Sequence, residues 1–191
     1  MPPVRKIQRE DIVNITYDIV KEEGIDAINA RRVAASLGCS VQPIFHNFTS
    51  MEELKREVYN KIYETYQLSM REASTSKRPY KAMGLAYIGF AKNYPEFFKI
   101  IFMQKTDLNA ENFILHDNYD NDVIKIGQEL TGLSYENQKE LHVKVWIFTH
   151  GIACLVATKT VDLSDSEIST LLEETVRQMI VGYKKEKGEE K

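Results

Sequence analysis

The residues best suited to chemistry lie in one short segment, residues 37–48, which reads LGCSVQPIFHNF. A glutamine, an aromatic ring, a histidine and an asparagine lie close together there, beside a valine and a proline. Glutamine can form paired hydrogen bonds with adenine, and valine or proline can contact the methyl group of thymine. An exposed aromatic ring among such polar groups is unusual on a solvated helix. The segment therefore suits contacts with DNA bases, the alternative being a plain helical hairpin inside a bundle.

The same segment contains residues that would position these side chains. We expect Gly38 to end one helix in the left-handed conformation, and Ser40 to cap the next by accepting a hydrogen bond from the amide of Gln42. Pro43 would be the third helical residue, where its missing N–H costs nothing. Two short helices joined by a tight turn predict a helix-turn-helix. Ile44 and Phe48 would then pack inward. The residues left facing outward are Val41, Gln42, Pro43, Phe45, His46 and Asn47.

Apolar residues recur at a spacing near 3.6 through almost the whole chain, which predicts an all-α protein. Glycines and capping residues mark the helix ends, as in the capping box SDSE at residues 164–167. About nine helices are predicted, at residues 8–23, 30–37, 41–47, 50–72, 79–93, 95–103, 110–131, 136–160 and 166–186. The first three form a small N-terminal domain, and the others a larger helical bundle.

Several short groups follow one another between residues 5 and 66: REDI at 9–12, a glycine at 24, NARRVA at 29–34, GCS at 38–40, IFHNF at 44–48 and SMEEL at 50–54. In order, spacing and length they resemble the N-terminal domain of the TetR family of bacterial transcriptional repressors. The resemblance implies that residues 1–50 form a helix-turn-helix DNA-binding domain whose recognition helix is at about 41–47. It also implies that the helix at 50–72 links this domain to a ligand-binding and dimerisation domain at 51–191.

The same resemblance implies a set of DNA-contacting positions. They are Arg31, Ser40, Val41, Gln42, Pro43, Phe45, His46 and Asn47. This chain departs from the family at two expected phosphate contacts, because Phe45 stands where a tyrosine is usual and Met51 where a lysine is usual. It therefore lacks one hydroxyl and one charge at the expected interface.

The charge balance limits how the chain could bind an anionic partner. The formal net charge is −3, and residues 1–56 carry eight Lys or Arg and eight Asp or Glu, which excludes a uniformly basic surface. Affinity for DNA would have to come from individually placed groups, namely Arg31, Arg32, Lys55 and helix N-terminal amides, with residues 5 and 6 as a basic arm. We expect each half-site to neutralise only a few phosphates.

Aromatic residues become frequent beyond residue 58. Each of them alone is explained by core packing, but together they could line a cavity in which tyrosine hydroxyls supply the polar contacts. The segment WIFTHG at residues 146–151 resembles the Trp-His-Gly class of TetR C-terminal domains. The candidate ligand-binding residues are Tyr59, Tyr63, Tyr66, Met83, Tyr87, Phe90, Phe98, Phe102, Phe113, Trp146 and His150.

The family resemblance implies a homodimer formed by the helices at 136–160 and 166–186. Both contain apolar residues that would form a large exposed patch in a monomer: Leu141, Val145, Phe148, Ile152, Leu155, Val156, Leu172, Val176, Met179 and Ile180. A dimer would bind a palindromic operator in double-stranded DNA. A small apolar or aromatic effector would shift the separation of the two recognition helices and so relieve repression.

Two other classes of function are alternatives to a regulator. An enzyme is disfavoured because the sequence contains no phosphate-binding glycine motif, nucleophile elbow or zinc signature, and the acidic loop at 116–122 lacks the glycine and glutamate of an EF-hand. A helical ligand-binding or adaptor protein that does not act on DNA is the second alternative. No cofactor or metal is predicted. The lack of a membrane span or signal peptide predicts a cytoplasmic protein with two reduced cysteines.

Overall fold

The computed structural model of the chain describes residues 7–76, 78–105 and 118–188. These residues form helices and connecting loops, with no strand among them, so the predicted all-α fold is confirmed. Nine α-helices lie within the described ranges: α1 Arg9–Glu23, α2 Ala30–Leu37, α3 Gln42–Asn47, α4 Met51–Ser74, α5 Pro79–Asn93, α6 Pro95–Phe102, α7 Asn118–Thr131, α8 Tyr135–Ala157 and α9 Asp165–Lys187. A short 3₁₀-helix, Ile25–Ala27, lies between α1 and α2.

Local sequence signals account for most of these helix ends. The Asn29 side chain accepts a hydrogen bond from the Arg32 amide at the start of α2, and Ser164 forms a capping box with Glu167 at the start of α9. Pro95 is the first residue of α6, where its lack of an N–H is harmless. The helix predicted at 136–160 ends earlier than expected, at Ala157. The predicted start of the seventh helix, residues 110–117, falls outside the described residues, as do the proposed basic arm and Phe113.

The chain divides into two compact units. The first contains the chain up to Gln67 together with Tyr94–Gln104, and the second contains Leu68–Asn93 and the chain from Lys105 onward. This division differs from the predicted domain boundary at residue 50. The reason is that the apolar face of α4, formed by Leu54, Val58 and Ile62, is fully buried and belongs to the core of the first unit.

The core of the first unit joins residues from helices far apart in the chain. Ile12 of α1, Val33 of α2 and Ile44 of α3 are fully buried, as are Phe97 and Phe98 of α6. The rings of Tyr17 and Phe97 are 4.7 Å apart between their centroids, which fastens α6 to α1. The helix-turn-helix is therefore supported by α1, α4 and α6 rather than by α1 alone.

The second unit has a core built from α5, α7, α8 and α9, since all four helices contribute buried apolar residues. Leu133, Leu141, Val145 and Tyr183 form one buried apolar cluster. The second unit also contains a buried polar contact. The Thr131 hydroxyl is 2.8 Å from Oε1 of Gln138, and Gln138 is only 1% exposed. Buried polar atoms of this kind need a hydrogen-bond partner, and Thr131 provides it.

The predicted dimerisation patch requires a correction. Five of its ten members, namely Leu141, Val145, Ile152, Val156 and Leu172, are buried within the second unit and form part of its core. The exposed large apolar residues of the same helices are Tyr135, Ile147 and Leu155 on α8, with Leu171 and Val181 on α9. Helical periodicity identified apolar faces correctly, but it did not distinguish the face that covers the core from the face that stays exposed.

One described helix, α8, is long and apolar enough to cross a membrane when judged by length and composition alone. In its most apolar window 44% of the residues are buried inside the protein. Core helices of soluble proteins pass the same test, so this single helix is weak support for a membrane span and is consistent with a soluble protein.

Candidate nucleic-acid interface

The turn between α2 and α3 has the predicted left-handed glycine. Gly38 adopts φ 65° and ψ 33°, its amide is 3.1 Å from the Ala35 carbonyl oxygen, and the Cys39 amide is 3.0 Å from that of Ala34. These two bonds satisfy carbonyls that the end of α2 would otherwise leave unpaired. The turn is therefore closed by the backbone itself.

The predicted capping role of Ser40 is wrong. Val41 is the N-cap residue, it has helical backbone angles, and its carbonyl accepts a hydrogen bond from the Ile44 amide at 3.1 Å. The helix consequently starts at Gln42, and Pro43 is its second residue rather than its third. The proline is still within the first turn, where no N–H partner is required.

The two sides of α3 differ sharply in exposure. Ile44 is fully buried and Phe48, just after the helix, is 2% exposed, so both anchor the segment as predicted. On the other side Phe45 is 52% exposed and Val41 39%. Gln42 and His46 are also exposed, whereas Pro43 and Asn47 are half-buried. The outward surface of α3 is thus a mixture of apolar and hydrogen-bonding groups.

Asn47 is partly committed within its own helix. Its side-chain amide nitrogen donates a hydrogen bond to the Pro43 carbonyl at 2.8 Å. This bond uses one of the two N–H groups of the side-chain amide and holds the amide against the helix. Asn47 is therefore a poorer candidate for a two-bond contact with a base than Gln42.

The three predicted cationic contacts differ in their surroundings. The side chain of Arg31 is exposed and makes no ion pair or hydrogen bond within the described part of the chain. Arg32 forms an ion pair with Glu23, which raises the pKa of Arg32 and lowers the pKa of Glu23 through the hydrogen bond between them. Lys55 pairs with Glu52 at 3.0 Å. Arg31 is the cation most available to a phosphate group.

A residue that was not predicted as part of the site holds α3 in place. Arg9 of α1 donates to the Asn47 carbonyl, to Glu53 at 2.6 Å, and through Nε to both carboxylate oxygens of Glu57 at 3.1 Å. Its guanidinium carbon lies 4.0 Å from the centroid of the Phe48 ring. These contacts join α1, the end of α3 and the start of α4, and hydrogen bonding to Glu57 raises the pKa of Arg9.

Glu53 completes this arrangement from the first turn of α4. Its carboxylate accepts hydrogen bonds from the Thr49 amide and the Thr49 hydroxyl, both at 2.7 Å. The bonds from Thr49 and then from Arg9 lower the pKa of Glu53 to about 2. The link between α3 and α4 is therefore fixed by a charged group that stays ionised at neutral pH.

Neither the scan of family models nor the search of curated proteins gives a match to this chain. The resemblance to TetR repressors therefore stays an expectation carried by the motifs themselves. The helix-turn-helix geometry and the exposure of α3 are properties of this chain that stand apart from that resemblance.

The predicted ligand-binding aromatics fall into separate groups in the two units. In the first unit, Tyr66 contacts Phe102 edge-to-face at a centroid distance of 5.1 Å, and Phe102 is 5.2 Å from Phe98. Tyr63 lies 6.0 Å from Tyr66, and Tyr59 lies 6.4 Å from Tyr63. The rings form a continuous row along α4 and α6, with Phe98 fully buried and Tyr59 39% exposed.

In the second unit Tyr87, Trp146 and His150 form a compact cluster. The Tyr87 hydroxyl is 2.9 Å from Nδ1 of His150, and the Trp146 ring stacks on His150 at a centroid distance of 4.6 Å. Nε2 of His150 is 3.3 Å from Sγ of Cys154. Burial lowers the pKa of His150 and raises the pKa of Cys154, so both groups are neutral near pH 7. Met83 and Phe90 are also buried in this unit.

A cavity of about 740 Å³ lies elsewhere in the second unit. Side chains from α5, α7, α8 and α9 line it, and none of the ten predicted ligand-binding residues that the structure describes is among them. Periodicity could not reveal this cavity, because its lining residues come from four helices and only half of them are aliphatic. Within residues 7–76, 78–105 and 118–188, no group of three or more His, Cys, Asp or Glu side chains is arranged to hold a metal ion. Both cysteines are free thiols.

Proposed function

We propose that this chain is a DNA-binding transcriptional regulator whose recognition helix is α3. The observation that carries the proposal is the two-sided character of this helix. Ile44 is fully buried, while Gln42, Phe45 and His46 are exposed on the opposite side. A second helix with one anchored and one free face is what entry into the major groove requires.

The chemistry of the exposed side supports sequence readout more than strong electrostatic attachment. Gln42 has both an amide donor and an oxygen acceptor available for adenine, and Val41 and Phe45 offer apolar surface to thymine methyl groups. Arg31, at the start of α2, is an exposed cation and would contact a phosphate. The proposed site thus combines base contacts with few phosphate contacts.

We further propose that two copies bind a palindromic operator. The exposed face of α8 carries Ile147 and Leu155 one turn to either side of Gly151, and a Cβ atom added at Gly151 would meet nothing within 4 Å. Exposed apolar residues around a glycine allow a second helix to approach closely. Dimerisation would cover the apolar side chains and provide two recognition helices for two half-sites.

The proposed regulator responds to a small apolar or aromatic effector that relieves repression. The aromatic groups of the two units supply ring faces and tyrosine hydroxyls suited to such a molecule. Binding would change DNA affinity only if the effector prefers one of two conformations of the chain.

A mobility-shift assay tests DNA binding. The probe is the DNA upstream of the gene that encodes this chain, and the variants are Gln42→Ala, Arg31→Ala and, as a matched control, Gln128→Ala in the second unit. We expect Gln42→Ala to weaken binding by about 1–3 kcal/mol and to relax the sequence preference, and Arg31→Ala to weaken binding to all sequences alike. Gln128→Ala should bind as the unmodified chain does.

The alternative is a helical ligand-binding or adaptor protein that uses α3 to bind another protein. The exposed Phe45 and the ion pairs of Arg32 and Lys55 favour this alternative, because they reduce the free positive charge near α3. If both Gln42→Ala and Arg31→Ala bind DNA as tightly as the unmodified chain, α3 is rejected as the DNA-contacting helix. Failure to shift any sequence from a random duplex library would favour the adaptor.

A further inference from the structure

We infer that the cavity of the second unit binds an amphiphile with an alkyl chain and a single anionic headgroup, for example a medium-chain carboxylate. We call this cavity the α9 groove. Its volume of about 740 Å³ is within the range of small-molecule sites in proteins. The inference concerns binding by the second unit alone, so it does not depend on whether the chain binds DNA.

The inner part of the α9 groove is apolar. Val145 of α8 and Leu172 of α9 form part of the buried core, and Val176 and Ile180 continue the same side of α9 by one turn each. Gly84 of α5 lines the groove without a side chain, which leaves room beside it. Such a lining offers a hydrocarbon chain a surface from which water is displaced favourably.

Two exposed apolar side chains continue this surface to the opening of the groove. Leu130 of α7 is 72% exposed and Val181 of α9 is 60% exposed, and both line the cavity. Apolar surface that is continuous from the core to the solvent is a feature of binding grooves. A ligand of linear shape could therefore lie with its tail inward and its head at the opening.

The charges around the groove favour an anionic head. Three cationic side chains line it, from Arg78, Lys81 and Arg177, against two carboxylates, from Glu129 and Glu173. Lys81 forms an ion pair with Glu173, which largely cancels those two charges. The remaining groups are two arginines and one glutamate, and an arginine can hold a carboxylate through two parallel hydrogen bonds.

Isothermal titration calorimetry of the full chain tests the inference. The probes are dodecanoate and dodecyltrimethylammonium, which have equal alkyl chains and opposite charges, each used below its critical micelle concentration. We expect dodecanoate to bind saturably at one site per chain and at least about tenfold more tightly than the cation. Absence of saturable dodecanoate binding, or equal affinity for the two probes, would overturn the inference.

Variants locate the site. Arg177→Gln should weaken dodecanoate binding about tenfold, whereas Lys185→Gln, which removes one charge from α9 outside the groove, should leave it unchanged. Equal losses in the two variants would mean that net charge alone attracts the probe, and would overturn the inference.

Gly84→Leu should fill the groove and abolish binding. A Cβ atom added at Gly84 meets Leu172 at 3.6 Å, which is an ordinary contact distance, so the backbone there can carry a side chain. Retained cooperative thermal unfolding would show that the fold survives. If this variant does not fold, Val181→Glu replaces it: an added carboxylate at an exposed position should repel dodecanoate. Native affinity in either folded variant contradicts the assigned site.

Discussion

At the scale of single residues, Glu53 connects protonation to the stability of the first unit. Its pKa falls to about 2 because Thr49 and Arg9 bind the ionised carboxylate, whereas the unfolded chain has the ordinary value of 4.5. Between these values the unfolded state binds more protons than the folded state. The stabilisation is therefore complete above about pH 4.5 and is lost as the pH falls toward 2.

The comparison of the unmodified chain with Glu53→Gln measures this effect. We expect a difference in the free energy of unfolding that is large at pH 7 and shrinks steadily between pH 4.5 and pH 2. Glu52→Gln is the matched control, because Glu52 is 80% exposed and forms an exposed ion pair with its neighbour Lys55. A pH-independent difference for Glu53→Gln would contradict the assigned role.

A second prediction at this scale concerns Gly127 in α7. A Cβ atom added there would lie 2.4 Å from Nε2 of the buried Gln138, so either this side chain would lose its place beside Thr131 or a helix would have to shift. We expect Gly127→Ala to destabilise the chain by about 1–3 kcal/mol in chemical denaturation. Gly89→Ala, where the added atom meets nothing within 4 Å, should instead stabilise it by about 0.5–1 kcal/mol. Similar effects in both variants would refute this explanation.

Residue pairs distant in the chain could not be predicted from the sequence. Arg9 and Glu57 are 48 positions apart, and nothing local indicates that α1 and α4 bring them together. The Arg9 contacts were missed for this reason. In contrast, the burial of Ile44 and the exposure of Phe45 followed directly from helical geometry once the helix was located.

At the scale of elements, the α2–α3 turn depends on a backbone conformation that suits glycine. Gly38 has φ 65°, which costs most L-amino acids about 1–2 kcal/mol. We expect Gly38→Ala to destabilise the chain by this amount in urea denaturation and Gly38→Asn by clearly less, because asparagine tolerates the left-handed region. Space is not limiting, since a Cβ at Gly38 meets nothing within 4 Å. Equal stability of the alanine variant and the native chain would contradict the strain argument.

Helix positions were predictable because their signals are local. Apolar spacing placed the helices, and the caps at Asn29 and Ser164 set two of their starts. The predicted start of α3 was one residue too early. Val41 is the N-cap residue and has helical backbone angles, so Ser40 lies outside the first turn. Cap preferences rank residue types, but the backbone of the preceding turn decides which residue occupies the cap.

At the scale of the whole molecule, the proposed dimer can be tested by changing the exposed face of α8. Ile147 is 56% exposed and Leu155 41%, so lysine at both positions should not disturb the core. We expect sedimentation velocity to show a dimer for the unmodified chain and a monomer for Ile147→Lys combined with Leu155→Lys. Val161→Lys, on an exposed apolar residue after α8, is the control and should stay dimeric. A monomeric unmodified chain at every concentration would refute the proposed dimer.

The near balance of charge predicts a weak salt dependence of DNA binding. Arg32 and Lys55 are already paired with Glu23 and Glu52, which leaves few cations to displace counterions from phosphates. In a filter-binding series, the logarithm of the affinity should fall with the logarithm of the salt concentration with a slope much shallower than about −10. A slope that steep for the dimer would require phosphate contacts that this charge pattern does not provide.

Trp146, which stacks on His150, gives the second unit a tryptophan fluorescence signal of its own. The chain has one tryptophan, so all indole emission comes from this position. Because burial keeps the imidazole neutral near pH 7, a change in the fluorescence spectrum at constant pH reports a rearrangement of these two rings. Ligand titrations and unfolding of this unit can therefore be followed without any attached dye.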